Sequence, residues 1–227
     1  MVPVPAESDR ELFGREQELA VVAELVADAC AGDGGLGWLR GEGGIGKTAL
    51  TRAAAALARE RGMTVLAAGA DELERHRPFG VLVDALEVGA SEDPRRAAVA
   101  RLLGDGAEPA LSGSGGGLRG GGEGGASLRG GGELAFGIGE ALLVLLEELC
   151  TSAPVLLVLD DLQWADVQSL ELLGRLAGRI SPLPLAVLCG ARVAPRREAV
   201  ERAVALTAER GARLLALAPL DAAAARA

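Results

Sequence analysis

Eight consecutive residues, Gly41-Glu42-Gly43-Gly44-Ile45-Gly46-Lys47-Thr48, constrain this chain more than any other stretch. They satisfy the spacing G-x-x-x-x-G-K-[ST] and lie between a short apolar run and a long Ala/Leu segment. Glycines at four of the eight positions permit a tight curl that turns successive backbone N–H groups toward an anion. In that geometry Lys47 reaches the β- and γ-phosphates and the Thr48 hydroxyl is placed to ligate Mg²⁺. A helix starting at this point adds the positive end of its dipole. Lys47 is also the only lysine of the chain; apart from His76, every other basic side chain is Arg. A compact ammonium suits a site beside a phosphate where a planar guanidinium would not. The bland alternative, a Gly-rich turn that merely precedes a helix, stays open on the motif alone.

Bulk properties narrow the class. With 227 residues the chain has ample length for a buried core. Its aromatics are Phe13, Trp38, Phe79, Phe136 and Trp164 only, so the core must come mainly from Leu, Val and Ala. A net charge of −9 argues against a broad basic face for nucleic acid. No apolar run approaches the ~20 residues that span a bilayer, so no membrane partner is expected. The N-terminus lacks the basic and apolar regions of a signal peptide, and a cytoplasmic location is expected. Cys30, Cys150 and Cys189 sit in apolar patterns at wide spacing and read as reduced core residues.

Along the chain, residues 1–11 are rich in Pro and charge and read as a loose lead-in. Leu19, Val22, Val26 and Cys30 recur at helical spacing. Leu36–Arg40 reads as a strand that runs into the loop, and Thr48–Arg61 as the helix that leaves it, stopped by Gly62. Met63–Ala68 is a second strand candidate. His76 lies alone in an Arg-flanked polar stretch and reads as a surface residue. Helices are expected around Val81–Leu86 and near Arg95–Leu103. From Leu111 to Gly132 the sequence collapses into Gly, Ser and isolated Arg, with Leu-Arg-Gly-Gly-Gly occurring twice. Such a segment is expected to be a flexible insert. Order is expected to return at Ile138 with an amphipathic helix through Leu149. Val155–Leu159 fits a strand buried on both faces and ends in Asp160-Asp161. Asp166 is the expected N-cap of a helix carrying Leu170, Leu173 and Leu176. Leu183–Cys189 and Arg213–Ala218 complete five strands, with a helix from about Pro195 to Glu209 between them.

Strands alternating with helices predict a parallel sheet with helices on both faces, and binding loops at the strand C-terminal ends. Gly41–Thr48, Asp160-Asp161 and Arg192 all fall there. Asp160 is the expected Mg²⁺ ligand opposite Thr48, and Asp161 the candidate to polarise an attacking water. Arg192 can contact a γ-phosphate. The less favoured alternatives are a helix-cap pair without chemistry for the two carboxylates and an ordinary surface residue for Arg192. The chain contains no Asn, and so no Asn-Lys-x-Asp guanine-reading motif, which favours adenine.

Leu12-Phe13-Gly14-Arg15-Glu16-Gln17-Glu18-Leu19, the loop Gly41–Thr48, the string Leu159-Asp160-Asp161-Leu162-Gln163-Trp164-Ala165-Asp166 and Arg192 together resemble the STAND branch of the AAA+ ATPases. More narrowly, they are similar to the N-terminal ATPase domain of large ATP-binding LuxR-type transcription regulators, the group that includes the maltose-regulon activator. The resemblance covers roughly residues 12–220. It implies an α/β fold of the P-loop NTPase class: a five-stranded parallel sheet with helices on both faces, AAA+-like and Orc1-like. It implies that Gly14 and Arg15 lie near adenine and ribose, and that Arg192 is a sensor-1 arginine. The strand bearing Arg192 would then lie between the loop strand and the Asp160 strand. It further implies ATP and Mg²⁺ as ligands, slow hydrolysis used as a switch, and DNA bound only through a separate C-terminal module. Residues 221–227 would be the start of a helical lid, and self-association or a partner protein would complete the switch. Two other readings compete: a P-loop small-molecule kinase, and a truncated module that binds nucleotide without turnover.

Overall fold

The computed structural model describes residues 14–90, 92–107 and 126–219, with backbone only at 105–107 and 126–131. Five parallel strands build its centre: β1 (Gly35–Arg40), β2 (Thr64–Gly69), β3 (Val155–Asp160), β4 (Leu185–Ala191) and β5 (Arg213–Ala216). They stand in the order β2-β3-β4-β1-β5. The strand that leads into Arg192 therefore lies between the loop strand and the Asp160 strand, as the family resemblance implies. The register Leu159↔Cys189 and Leu39↔Gly190 brings the three strand ends level.

Alternation along the inner strands feeds two cores. Leu36, Trp38, Val155, Leu157, Leu159, Val187 and Cys189 point to one face. Leu39, Leu156, Val158, Ala186 and Leu188 point to the other. This two-sided burial is why these strands read as continuous apolar runs. The second face is covered by α1 (Glu16–Ala31) and α2 (Lys47–Glu60) through Val22, Leu25, Val26, Leu50 and Ala54. The first is covered by α3 (Gly80–Ala85), α5 (Ala126–Cys150), α6 (Val167–Ala177) and α7 (Glu198–Ala208), with α4 (Pro94–Ala107) lying against α5. Although the core is largely aliphatic, Trp38 sits fully buried at its centre. Its indole Nε1 donates to Thr207 Oγ1 at 2.9 Å, which satisfies the one polar atom that burial would strand.

Two expectations change. Cys30 is exposed, because the buried stripe of α1 runs through Val22, Leu25, Val26 and Ala29, one position round from it. Cys150 and Cys189 are buried, and burial pushes the Cys150 thiol up to about 11 and that of Cys189 higher still. The second Leu-Arg-Gly-Gly-Gly unit, expected to belong to the flexible insert over 111–132, is helical: α5 starts at Ala126, well before Ile138. Once the apolar face from Ile138 to Leu146 is docked, each added residue gains a hydrogen bond without a new nucleus. That gain carries the helix back through glycines costing about 1 kcal/mol each relative to Ala. The rest of the insert, 111–125, lies outside the described residues, as do the lead-in at 1–11 and the lid start at 221–227. His76 is exposed, as expected. Among the described residues no helix is long and apolar enough to cross a membrane.

Candidate functional site

The loop between β1 and α2 takes its shape from its glycines. Gly44 and Gly46 have φ of 75° and 105°, a region where a side chain is strained, and Gly46 caps α2 from a left-handed conformation. Gly41 lies so close to the segment after β5 that an added Cβ would fall 3.1 Å from Leu217 Cβ. From the first turn of α2, the Lys47 side chain folds back along the loop. Its Nζ donates to the carbonyls of Gly41 at 2.9 Å and Glu42 at 2.8 Å. Only 6% of Lys47 is exposed, and this desolvation lowers its pKa below the ordinary lysine value. The charges of Asp160 and Asp161 oppose the shift, whereas Arg192 adds to it. The ammonium is thus held in place and under-neutralised, an arrangement that an arriving anion relieves.

At the end of β3, Asp160 turns its carboxylate toward the loop. Its Oδ2 accepts from Thr48 Oγ1 at 3.1 Å, and its Oδ1 accepts from the backbone N of Asp161 at 2.8 Å. Room for it exists because position 190 on β4 is glycine: a Cβ there would come within 2.1 Å of Asp160 Oδ1. Asp161 follows with φ 52°, a left-handed conformation that Asp tolerates better than most residues. The turn delivers it into a short 3₁₀ segment, Leu162–Trp164. Asp161 Oδ1 accepts from Gln163 Nε2 at 2.7 Å and lies 3.8 Å from Arg192 Nε.

These groups surround one cavity of about 260 Å³, lined by Gly43, Gly44, Gly46, Lys47, Thr48, Asp160, Asp161 and Arg192. Its walls offer backbone N–H groups of a helix N-terminus, an ammonium and a guanidinium on one side, and two carboxylates on the other. A polyphosphate fits the cationic side. Mg²⁺ fits between the sides, because the Thr48 hydroxyl and the Asp160 carboxylate are hard oxygen donors already in contact. When bound there, Mg²⁺ would neutralise charge shared between neighbouring phosphates.

The structure brings most of the expected residues together, but not all. Glu42 and Ile45 serve the loop through their carbonyls, to Lys47 and Arg15 respectively. Gly14 is exposed, with its N–H donating to Glu16 Oε1 at 3.0 Å. Arg15, expected near adenine and ribose, is 4% exposed and spends its guanidinium on protein groups. Nη2 donates to Ile45 O at 3.0 Å and Ala218 O at 2.6 Å, and Nη1 to Glu18 Oε1 at 2.9 Å.

Two residues escaped the sequence reading, Gln163 and Gly190, which serve Asp161 and Asp160. Asp166, read as a cap, does more than cap its own helix. Asp166 Oδ1 accepts from Ser169 N at 2.9 Å, but also from Phe79 N at 2.9 Å, and Oδ2 accepts from Gly80 N at 3.2 Å. One buried carboxylate thereby holds the N-termini of both α6 and α3. A signal did exist for Asp166, in a charged residue flanked by Ala165 and Val167 before an apolar helix. For Gly190 and Gln163 it did not, since each acts across strands.

Residues 11–188 match the model of the AAA ATPase domain family. No curated protein matches the chain. Among solved structures, the ORC1 protein of Aeropyrum pernix, determined in complex with DNA, superposes with a TM-score of 0.53 at 22% identity, covering 98% of this chain and 50% of that one. The ORC2 protein of the same organism gives 0.48 at 16%, covering 93% and 50%. A Walker-type ATPase of Pyrococcus abyssi gives 0.43 at 17%, covering 94% and 55%. At 22% identity the likeness to the ORC1 protein is one of fold, and the chain spans about half the length of these proteins.

Proposed function

The chain belongs to the AAA ATPase domain family, and from that premise we propose that it binds Mg²⁺–ATP and hydrolyses it slowly to ADP and phosphate. The observation that carries this reading is the convergence of Lys47, Thr48, Asp160, Asp161 and Arg192 on one cavity. Lys47, the N–H groups of Gly43–Thr48 and Arg192 hold the phosphates. Thr48 and Asp160 hold the metal, and Asp161 takes the proton of the attacking water. Slow turnover is what the resemblance of the Leu159–Asp166 string to the STAND branch implies. The wider role proposed is a cytoplasmic regulatory switch of the STAND type, akin to LuxR-type regulators, with DNA contacted by other domains. The Leu159–Asp166 string and the net charge of −9 support it, the charge disfavouring direct DNA contact here.

The test pairs binding with product analysis. Saturating Mg²⁺–ATP at about 100 times Kd should stabilise the protein by about 2.7 kcal/mol, read from thermal or urea unfolding. Lys47→Ala should abolish that gain, whereas Asp161→Asn should keep it and lower phosphate release by at least roughly a hundredfold. Label transferred to a small molecule rather than to free phosphate would identify a kinase. Equal stabilisation of the Lys47→Ala variant by ATP would rule out ATP binding at this loop.

A further inference from the structure

Beyond Leu159↔Cys189 the ladder between β3 and β4 ends, so strand pairing does not fix Asp161 relative to Arg192. Their direct approach is 3.8 Å, too long for a hydrogen bond, with both side chains 43% exposed. Gln163 makes the link instead. It is 4% exposed, and both ends of its amide are used. Nε2 donates to Asp161 Oδ1 at 2.7 Å and Oε1 accepts from Arg192 N at 3.0 Å. The orientation is unambiguous, because a carboxylate can only accept and a backbone N–H can only donate. The main chain of Gln163 is itself held, by Arg197 Nη1 donating to Gln163 O at 3.1 Å and to Ala165 O.

We propose that Gln163 is a positioning residue that fixes the Asp161 carboxylate to the first residue of the Arg192 segment, so that the water-activating group and the γ-phosphate contact are set as one unit. This rests on the ATPase reading and adds to it a residue outside the lining of the cavity. A side chain of equal length that cannot hydrogen-bond would leave both partners in place but unlinked. Errors of about 1 Å in the placement of a reacting group cost on the order of a hundredfold in rate.

The experiment is a cycle on the full chain, measuring KM for Mg²⁺–ATP, kcat for phosphate release and the melting temperature. The variants are Gln163→Met, Asp161→Asn and the two combined. Gln163→Met should leave KM within about twofold and lower kcat roughly tenfold to a hundredfold. The double variant should be no slower than Asp161→Asn alone, because Gln163 acts through Asp161. Gln163→Glu keeps the acceptor for Arg192 N but opposes Asp161 with like charge, and should lose turnover to a similar extent. It also serves if the Met variant folds poorly. A rise in KM matching the fall in kcat, or multiplication of the two losses in the double variant, would overturn the proposal and leave the ATPase reading intact. So would unchanged turnover in Gln163→Met. Absence of phosphate release from the unsubstituted chain overturns both.

Discussion

Lys47 is a charge kept at a disadvantage until a ligand arrives. Burial lowers its pKa, and a bound phosphate would raise it again by supplying opposite charge. Binding and protonation are therefore linked, and the sign is fixed. Below the lowered pKa of the free protein, Lys47 is charged in both states and affinity does not depend on its titration. Between that value and the higher pKa of the complex, binding takes up a proton, so affinity should fall by up to about tenfold per pH unit as pH rises. Calorimetric titrations with Mg²⁺–ATP across the alkaline range, in buffers of different ionisation enthalpy, check both the fall and the proton uptake. Affinity constant through that range would show that the ammonium is not the phosphate contact. At this scale the loop, Asp160, Asp161 and Arg192 were legible because each belongs to a contiguous pattern with a chemical reason. Gln163 was not. Its importance comes from where β4 happens to end, and no spacing within 159–166 encodes that. Arg15 stood out in the sequence, yet its partners, Ile45 and Ala218, lie 30 and 203 positions away.

Helices α3 and α6 are joined by a single carboxylate, and the energetics of that joint differ from those of an ordinary cap. An exposed N-cap is worth about 1 kcal/mol. Asp166 accepts from three backbone N–H groups and from Ser169 Oγ, in a site where it is 4% exposed. Asp166→Ala should therefore cost about 3 kcal/mol or more, because several buried donors lose a charged acceptor together. Urea unfolding measures it. A loss near 1 kcal/mol would mean that Asp166 stabilises only its own helix. Phe79 explains part of the difference, since its φ of 58° is unfavourable for a bulky residue and Asp166 holds its N–H. The cap of α6 was legible, as Asp before an apolar helical stripe. The bond to α3 was not, because 86 residues separate Asp166 from Gly80. The start of α5 was missed for a different reason: local glycine content opposes a helix that packing further along pays for.

At the scale of the whole molecule, the order β2-β3-β4-β1-β5 puts the strands bearing the site in the middle and leaves β2 and β5 at the edges. β4 is buried along its full length, whereas β2 and β5 alternate with exposed positions. Amide exchange should therefore be slowest in β4, β1 and β3, and at least roughly tenfold faster in β2 and β5. Mass-spectrometric exchange checks this, and equal protection across all five strands would contradict it. The parallel class was legible from the alternation of apolar runs with amphipathic helices. The order was not legible from periodicity, which gives every strand the same signature; only the place of β4 between β1 and β3 came from the resemblance of the motifs. Among the motif-bearing segments, Arg15 leaves one mechanical consequence. A single buried guanidinium grips the carbonyl of Ile45 in the phosphate loop and that of Ala218 where the chain leaves β5. The two carbonyls are thereby tied through one side chain. Any displacement of the loop must drag Ala218 with it or break a charged hydrogen bond worth about 1.5–3 kcal/mol. Strain that originates at the phosphates would thus pass to the edge strand next to β1.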